Sequence, residues 1–193
     1  MAKKNKTGKM LMIVDPQYDF INGSLPVGGS EDAMNALAKW VNENKSNFDV
    51  IVITTDWHPT THCSFNDNGG EWPVHCVQHS HGAAIYQPIL NALKDVDYAV
   101  MEKGLNEDRE EYSIWKNHVS NIHLHAMVRA NGITDINIAG LAGNICVLNS
   151  LKDGVKELPN VNFHFMKEFS PCIGEGAEVD EYIKTTERVD YVY

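Results

Sequence analysis

Met10-Leu-Met-Ile-Val14, followed at once by Asp15-Pro16, decides the fold. A run with no polar position is too uniform for a strand with one wet face and too short for an ordinary helix. It reads as a strand covered on both sides. Working outward, the same signature returns in Val50-Ile-Val-Ile-Thr54, Tyr98-Ala-Val-Met101, Ile136-Asn-Ile-Ala139 and Val161-Asn-Phe-His-Phe165. Helical spacing fills the gaps. Ser30 is placed to cap a helix over Glu31 to Asn44, with Ala33, Leu37, Trp40 and Val41 on one face. Further helices are expected over Ala83 to Leu93, Asn117 to Asn131 with a stop at Gly132, Asn144 to Leu158, and Ala177 to Arg188. Strands alternating with helices predict a three-layer α/β/α architecture around a parallel sheet.

Composition narrows the function. A chain of 193 residues suits one domain over 1–193, with 1–8 expected to be flexible. A net charge of −10 argues against a nucleic-acid surface, because phosphate binding needs clustered cations. The one basic cluster is Lys3, Lys4, Lys6 and Lys9. The apolar run behind it ends at Asp15, too soon for a signal-peptide core, and no stretch approaches the roughly 20 apolar residues of a membrane span. The expected setting is the cytoplasm. Cys63, Cys76, Cys146 and Cys172 form no CxxC pair and are too few for a disulfide scaffold, so reduced thiols are expected.

Two long loops, about Thr55 to Gly82 and Glu102 to Lys116, break the rhythm, and such loops are usually functional. Ligands of open α/β sheets sit beyond the carboxyl ends of the strands. Asp15 follows the first strand, Asp56 the second, Lys103 the third, and Gly140-Leu-Ala-Gly-Asn-Ile-Cys146 the fourth. Near a helix start, the positive end of the dipole favours a thiolate at Cys146, and free N–H groups around Ala142 to Cys146 can bind an oxyanion. Asp15 is placed to take the thiol proton, with Lys103 orienting it. On placement alone a buried, inert cysteine is the simpler reading. Asp56 and His58, with His62 and His75 further along the loop, offer donors suited to zinc, iron or manganese, although a His-rich surface loop explains them equally well. Phe20, Trp57 and Trp72 could stack a flat ring or pack under the loop. His118, His123 and His125 read as surface or packing residues, His164 as buried or paired, Cys76 as packing, and Glu107 to Glu111 as a solvated face.

Read together, these segments resemble the isochorismatase-like cysteine hydrolases, and among them the nicotinamidases. Asp15-Pro-Gln-Tyr-Asp-Phe20 resembles their opening DxQxDF. Thr55-Asp-Trp-His-Pro-Thr-Thr-His-Cys-Ser-Phe65 is similar to DWHPxxHxSF. Trp72-Pro-Val-His-Cys-Val77 with Gly82-Ala83 is similar to WPxHCV…GA. Lys103-Gly104 with Glu111-Tyr-Ser-Ile-Trp115 is similar to KG…YSxF, and Gly140 to Val147 to the nucleophile turn GxATDYCV. Five motifs in family order, from Asp15 to about Ser150, make the resemblance specific.

The resemblance implies about six parallel strands and a triad of Asp15, Lys103 and Cys146. It implies one divalent transition metal ion, zinc foremost, on Asp56, His58 and His75, with water or Ser64 completing the shell. A cis peptide at Leu141–Ala142 would aim the N–H groups of Ala142 and Cys146, and Phe20, Trp72 and Tyr112 would hold the ring of a small amide. The implied reaction is hydrolysis of nicotinamide, and also of pyrazinamide, in salvage of pyridine nucleotide, with neither nucleic acid nor membrane as partner and a homo-oligomer left open. The alternative is a related cysteine amidase acting on another small amide or carbamoyl compound. Isochorismatases lack the cysteine, and carbamoyl-sarcosine and ureidoacrylate hydrolases usually lack the His-rich segment. Gly143-Asn144-Ile145 departs from the usual Thr-Asp-Tyr. Asn144 is expected to keep the capping role of the acid.

Overall fold

The computed structural model describes residues 7–192. In chain order the strands are β1 (Gly8–Val14), β2 (Val50–Asp56), β3 (Ala99–Lys103), β4 (Ile133–Gly140), β5 (Asn162–Met166) and β6 (Val189–Val192). The helices are α1 (Tyr18–Ile21), α2 (Ser30–Asn44), α3 (Gln87–Leu93), α4 (His118–Asn131), α5 (Leu148–Glu157) and α6 (Ala177–Thr185). All strand pairs are parallel, in the order β3-β2-β1-β4-β5-β6.

The uniform run of β1 has the expected cause. Met10, Met12 and Val14 point into a core closed by Leu124 and Val128 of α4, Leu148 and Leu151 of α5, and Val179 and Ile183 of α6. Leu11 and Ile13 point the other way, onto Met34, Leu37 and Val41 of α2 and Ile89 and Leu93 of α3. All five residues of the run are fully buried. The sheet is therefore sandwiched, and the three-layer expectation holds. Among the described residues no helix is long and apolar enough to cross a membrane.

Several boundaries differ from expectation. Gly8 already belongs to β1, and the rest of the stretch expected to be flexible lies, apart from Thr7, outside the described residues. Ser30 does not cap α2. Gly29 takes that position, and the Ser30 hydroxyl donates instead to the Ile21 carbonyl. The helix expected from Ala83 begins only at Gln87, where Pro88 suits a first turn. Asn117 caps α4 by accepting from Ser120 N–H, and α4 stops at Gly132 as expected. The last helix ends at Thr185, and the chain then forms β6, which reading the residues alone had missed.

Strand order sets the position of the site. From β1 the chain works outward to β2 and β3, then crosses back to β4 on the other side of β1. The crevice between the carboxyl ends of β1 and β4 is thus the topological switch point, where open α/β sheets bind ligands.

Candidate active site

Four neighbouring strands deliver the four predicted groups to this crevice. Asp15 follows β1 with a positive φ of 48°, which turns its carboxylate across the strand ends. Asp56 and Lys103 close β2 and β3 as paired residues. Cys146 lies in the turn after β4. The Lys103 side chain is fully buried, with Nζ 2.8 Å from Asp15 Oδ2, 2.5 Å from Asp56 Oδ1 and 3.5 Å from Cys146 Sγ. Burial disfavours an ammonium, but the two carboxylates outweigh it, and the lysine pKa stands well above its ordinary value.

The same environment separates the two acids. Burial raises the pKa of Asp15 more than Lys103 lowers it. Thr54 Oγ1 also donates to Asp15 Oδ1, at 2.6 Å. Burial also pushes Asp56 upward, but Lys103 and then His58 prevail and hold its carboxyl well below the usual range. The Cys146 thiol is pushed well above its ordinary value by burial, against the pull of Lys103. The pull toward a thiolate expected from the helix start is thus opposed at Cys146 by burial.

The turn that carries Cys146 is wider than an α-turn. After the cis Leu141–Ala142 peptide, Gly143–Val147 forms a π-type turn. The Ile145 and Val147 N–H groups both bond Ala142 O, and Gly143 N–H bonds Pro171 O at 2.7 Å. The N–H groups of Ala142 and Cys146 enter none of these bonds. Asn144 is not a cap. Its side chain turns outward to the Ile173 backbone and Glu178, and Ala142 holds the capping position.

Asp56, His58 and His75 each offer one donor atom, all within 4.8 Å of one another. His58 Nδ1 lies 2.9 Å from Gly104 O and His75 Nδ1 lies 2.8 Å from Pro73 O. A carbonyl can only accept, so both rings donate from Nδ1, which leaves Nε2 as the atom free to ligate. His58 Nε2 is buried without a hydrogen-bond partner, 3.7 Å from Asp56 Oδ2. An orphaned nitrogen facing a carboxylate across that gap fits a divalent transition ion. Gly104 makes room for His58: its φ is +68°, and a Cβ there would overlap the imidazole. The Ser64 hydroxyl is engaged by His62 Nδ1 at 2.6 Å, and His62 stacks on His58.

Of these groups Asp56, His75 and Cys146 line one pocket of about 370 Å³, its open mouth included. Phe20, Trp72 and Tyr112 line it, with Trp72 Nε1 donating to the Tyr112 hydroxyl at 2.9 Å. Cys146, Asp56 and His75 form its polar end, and Leu25, Val27, Ile145 and Ile173 its apolar side.

Other residues of the site were not singled out from sequence. Gln17 accepts from Asp56 N–H through Oε1 and donates to Asp56 O through Nε2, both at 2.8 Å. Asp19 accepts Cys76 N–H at 2.7 Å and so fixes the positive-φ residue beside His75. Both belong to the Asp15–Phe20 motif, where their spacing was the available signal. Glu110 lines the pocket, and Glu111 is buried against Gly104 N–H. The acidic run is thus not wholly a solvated face. Among the histidines left aside, His164 is paired with Asp135 and Asp190, and His125 with Glu157.

Comparison with known proteins matches residues 9–157 to the isochorismatase domain. The chain is 30% identical over 169 residues to the nicotinamidase of Escherichia coli, covering 77% of this chain and 76% of that one. The pyrazinamidase of Pyrococcus horikoshii, solved in complex with zinc, superposes with a TM-score of 0.80 at 28% identity, over 95% of this chain and 98% of that one. PnC1 from L. infantum, solved in complex with nicotinate, gives 0.82 at 29% identity, over 100% and 95%. The chain belongs to the isochorismatase domain family, in its nicotinamidase-type amidohydrolase branch.

Proposed function

We propose that this protein is a metal-dependent cysteine amidase that hydrolyses nicotinamide to nicotinate and ammonia. The observation that carries the reading is the buried Asp15–Lys103–Cys146 cluster at the polar end of an aromatic-lined pocket, beside three convergent metal donors. The amide ring lies between Phe20 and Trp72, near Tyr112, with its carboxamide carbon at Cys146 Sγ. Asp15, held basic by burial, takes the thiol proton as sulfur attacks. The N–H groups of Ala142 and Cys146 receive the developing oxyanion. Asp15 then returns its proton to the departing ammonia, leaving a thioester on Cys146. Asp15 next activates the water that releases nicotinate. Throughout, Lys103 keeps both carboxylates in place. Asp56, His58 and His75 would hold the metal, which supplies a Lewis-acid contact for the ring nitrogen. The relative solved with zinc makes that ion the first choice.

The test is ammonia release from nicotinamide and pyrazinamide by the metal-loaded protein, beside Cys146→Ala. Turnover by the wild type and a loss of at least about a thousandfold in the variant are expected. No ammonia from either amide would overturn the reading.

A further inference from the structure

The three residues that depart from the family pattern, Gly143-Asn144-Ile145, act together on one stretch of chain. The segment Ser170–Gly176 runs beside the nucleophile turn. Asn144 grips it by a reciprocal amide pair: Nδ2 donates to Ile173 O and Oδ1 accepts Ile173 N–H, both at 2.9 Å. A third bond runs from Nδ2 to Glu178 Oε1 at the start of α6. Gly143 N–H bonds Pro171 O at 2.7 Å. Any side chain at 143 would push the segment away, because a Cβ there would overlap Ser170 O and lie 2.9 Å from Cys172 Sγ. So Gly143 permits the approach, Asn144 locks it, and the result is that Ile173 lines the pocket together with Ile145, Leu25 and Val27.

Ile173 remains 41% exposed. Asp15, Asp56, Lys103 and Cys146 are committed to the polar end. The aromatic rings take the faces of a flat substrate. One ring edge is left to meet the isoleucines.

We infer that Asn144 and Ile173 determine specificity: the clamped segment forms an apolar wall that admits aromatic amides with a bare or alkyl-bearing ring edge and rejects those with a charged one. The inference rests on the amidase reading above. A wall of branched aliphatic carbon offers a carboxylate no hydrogen-bond partner, so a charged edge meeting it loses hydration without compensation. A single apolar contact discriminates about tenfold or more. Asn144 acts as a positioning residue through the segment it holds.

The experiment measures kcat and KM for ammonia release from nicotinamide, 5-methylnicotinamide and 5-carboxynicotinamide in wild type, Asn144→Ala, Ile173→Ser and Ile173→Val. The wild type is expected to accept the methyl compound within about tenfold of nicotinamide and the carboxylate at least a hundredfold worse. Ile173→Ser is expected to narrow that gap about tenfold, and Ile173→Val to retain it. Asn144→Ala is expected to raise KM for nicotinamide several-fold with kcat within about threefold. Ile173 is a surface side chain, so its variants keep the fold and the test stands if Asn144→Ala does not. An active wild type with unchanged discrimination in Ile173→Ser overturns this inference alone. A wild type inactive on all three amides overturns it together with the functional reading.

Discussion

Lys103 shows how one residue can hold a site together. Its ammonium neutralises two buried carboxylates that would otherwise face each other without water. Removing one partner of a buried ionic cluster leaves the others uncompensated, typically at about 3–5 kcal/mol. Lys103→Met is therefore expected to lose stability of that order, seen as a lower urea midpoint, and to abolish turnover. The residue was legible in sequence because it comes at the end of an apolar run, as do Asp15 and Asp56. Gln17 was not. Its amide serves the backbone of Asp56 rather than a ligand, and nothing in its own neighbourhood reveals a partner so distant in sequence. With its two bonds to the Asp56 backbone and a third to Ala83 O gone, Gln17→Ala should lower stability by about 2–3 kcal/mol and weaken metal retention, read by thermal melting and by metal content after dialysis.

Among the elements, β1 and β2 were legible because burial on both faces leaves a nearly uninterrupted apolar run, and β3 to β5 from their apolar residues despite exposed or half-buried positions such as Val100, Asn137 and His164. Strand β6 was not, because it is short, lies at an edge and carries Asp190 in its middle. Asp190 has a tertiary role: His164 on β5 bonds it on one side and Asp135 of β4 on the other, at 2.5 and 3.1 Å. Burial would raise the pKa of Asp135, but hydrogen bonds from Thr134, His164 and Asn162 prevail and hold it below the ordinary carboxylate value. A depressed folded pKa contributes stability that is present above the unfolded value, about 3.9, and is lost as pH falls through the folded one. The stability difference between wild type and Asp135→Asn should therefore be largest near neutrality and shrink in acid. Denaturant midpoints at several pH values would show it, and a difference that grows toward low pH would refute the assignment. The nucleophile turn was legible only in part. Its residue order resembled a known one, but the outward turn of Asn144 depends on a segment much later in the chain.

For the whole molecule, the metal site joins β2 to the loop that carries His75. An ion bound only by the folded chain stabilises it by mass action, about 2.7 kcal/mol at a hundredfold excess over Kd. In a domain of this size each kcal/mol corresponds to about 2–4 °C. Chelation should thus lower the melting temperature by several degrees, and zinc should restore it. An unchanged melt after verified metal removal would count against Asp56, His58 and His75 as ligands.

The strand order of the sheet has a last consequence, for how such a protein can change over evolutionary time. Parallel strands stand about 4.8 Å apart, so the sheet edge works as a ruler. Lys103 on β3 must reach past β2 to meet Asp15 on β1 and Cys146 beyond β4. Its four-carbon stem makes that span. Loops beyond the strand ends, Ser170–Gly176 among them, are free to lengthen and diverge. A strand inserted anywhere between β3 and β4 would move the graduations apart. Descendants of this chain can therefore change what they accept far more readily than how they cleave it.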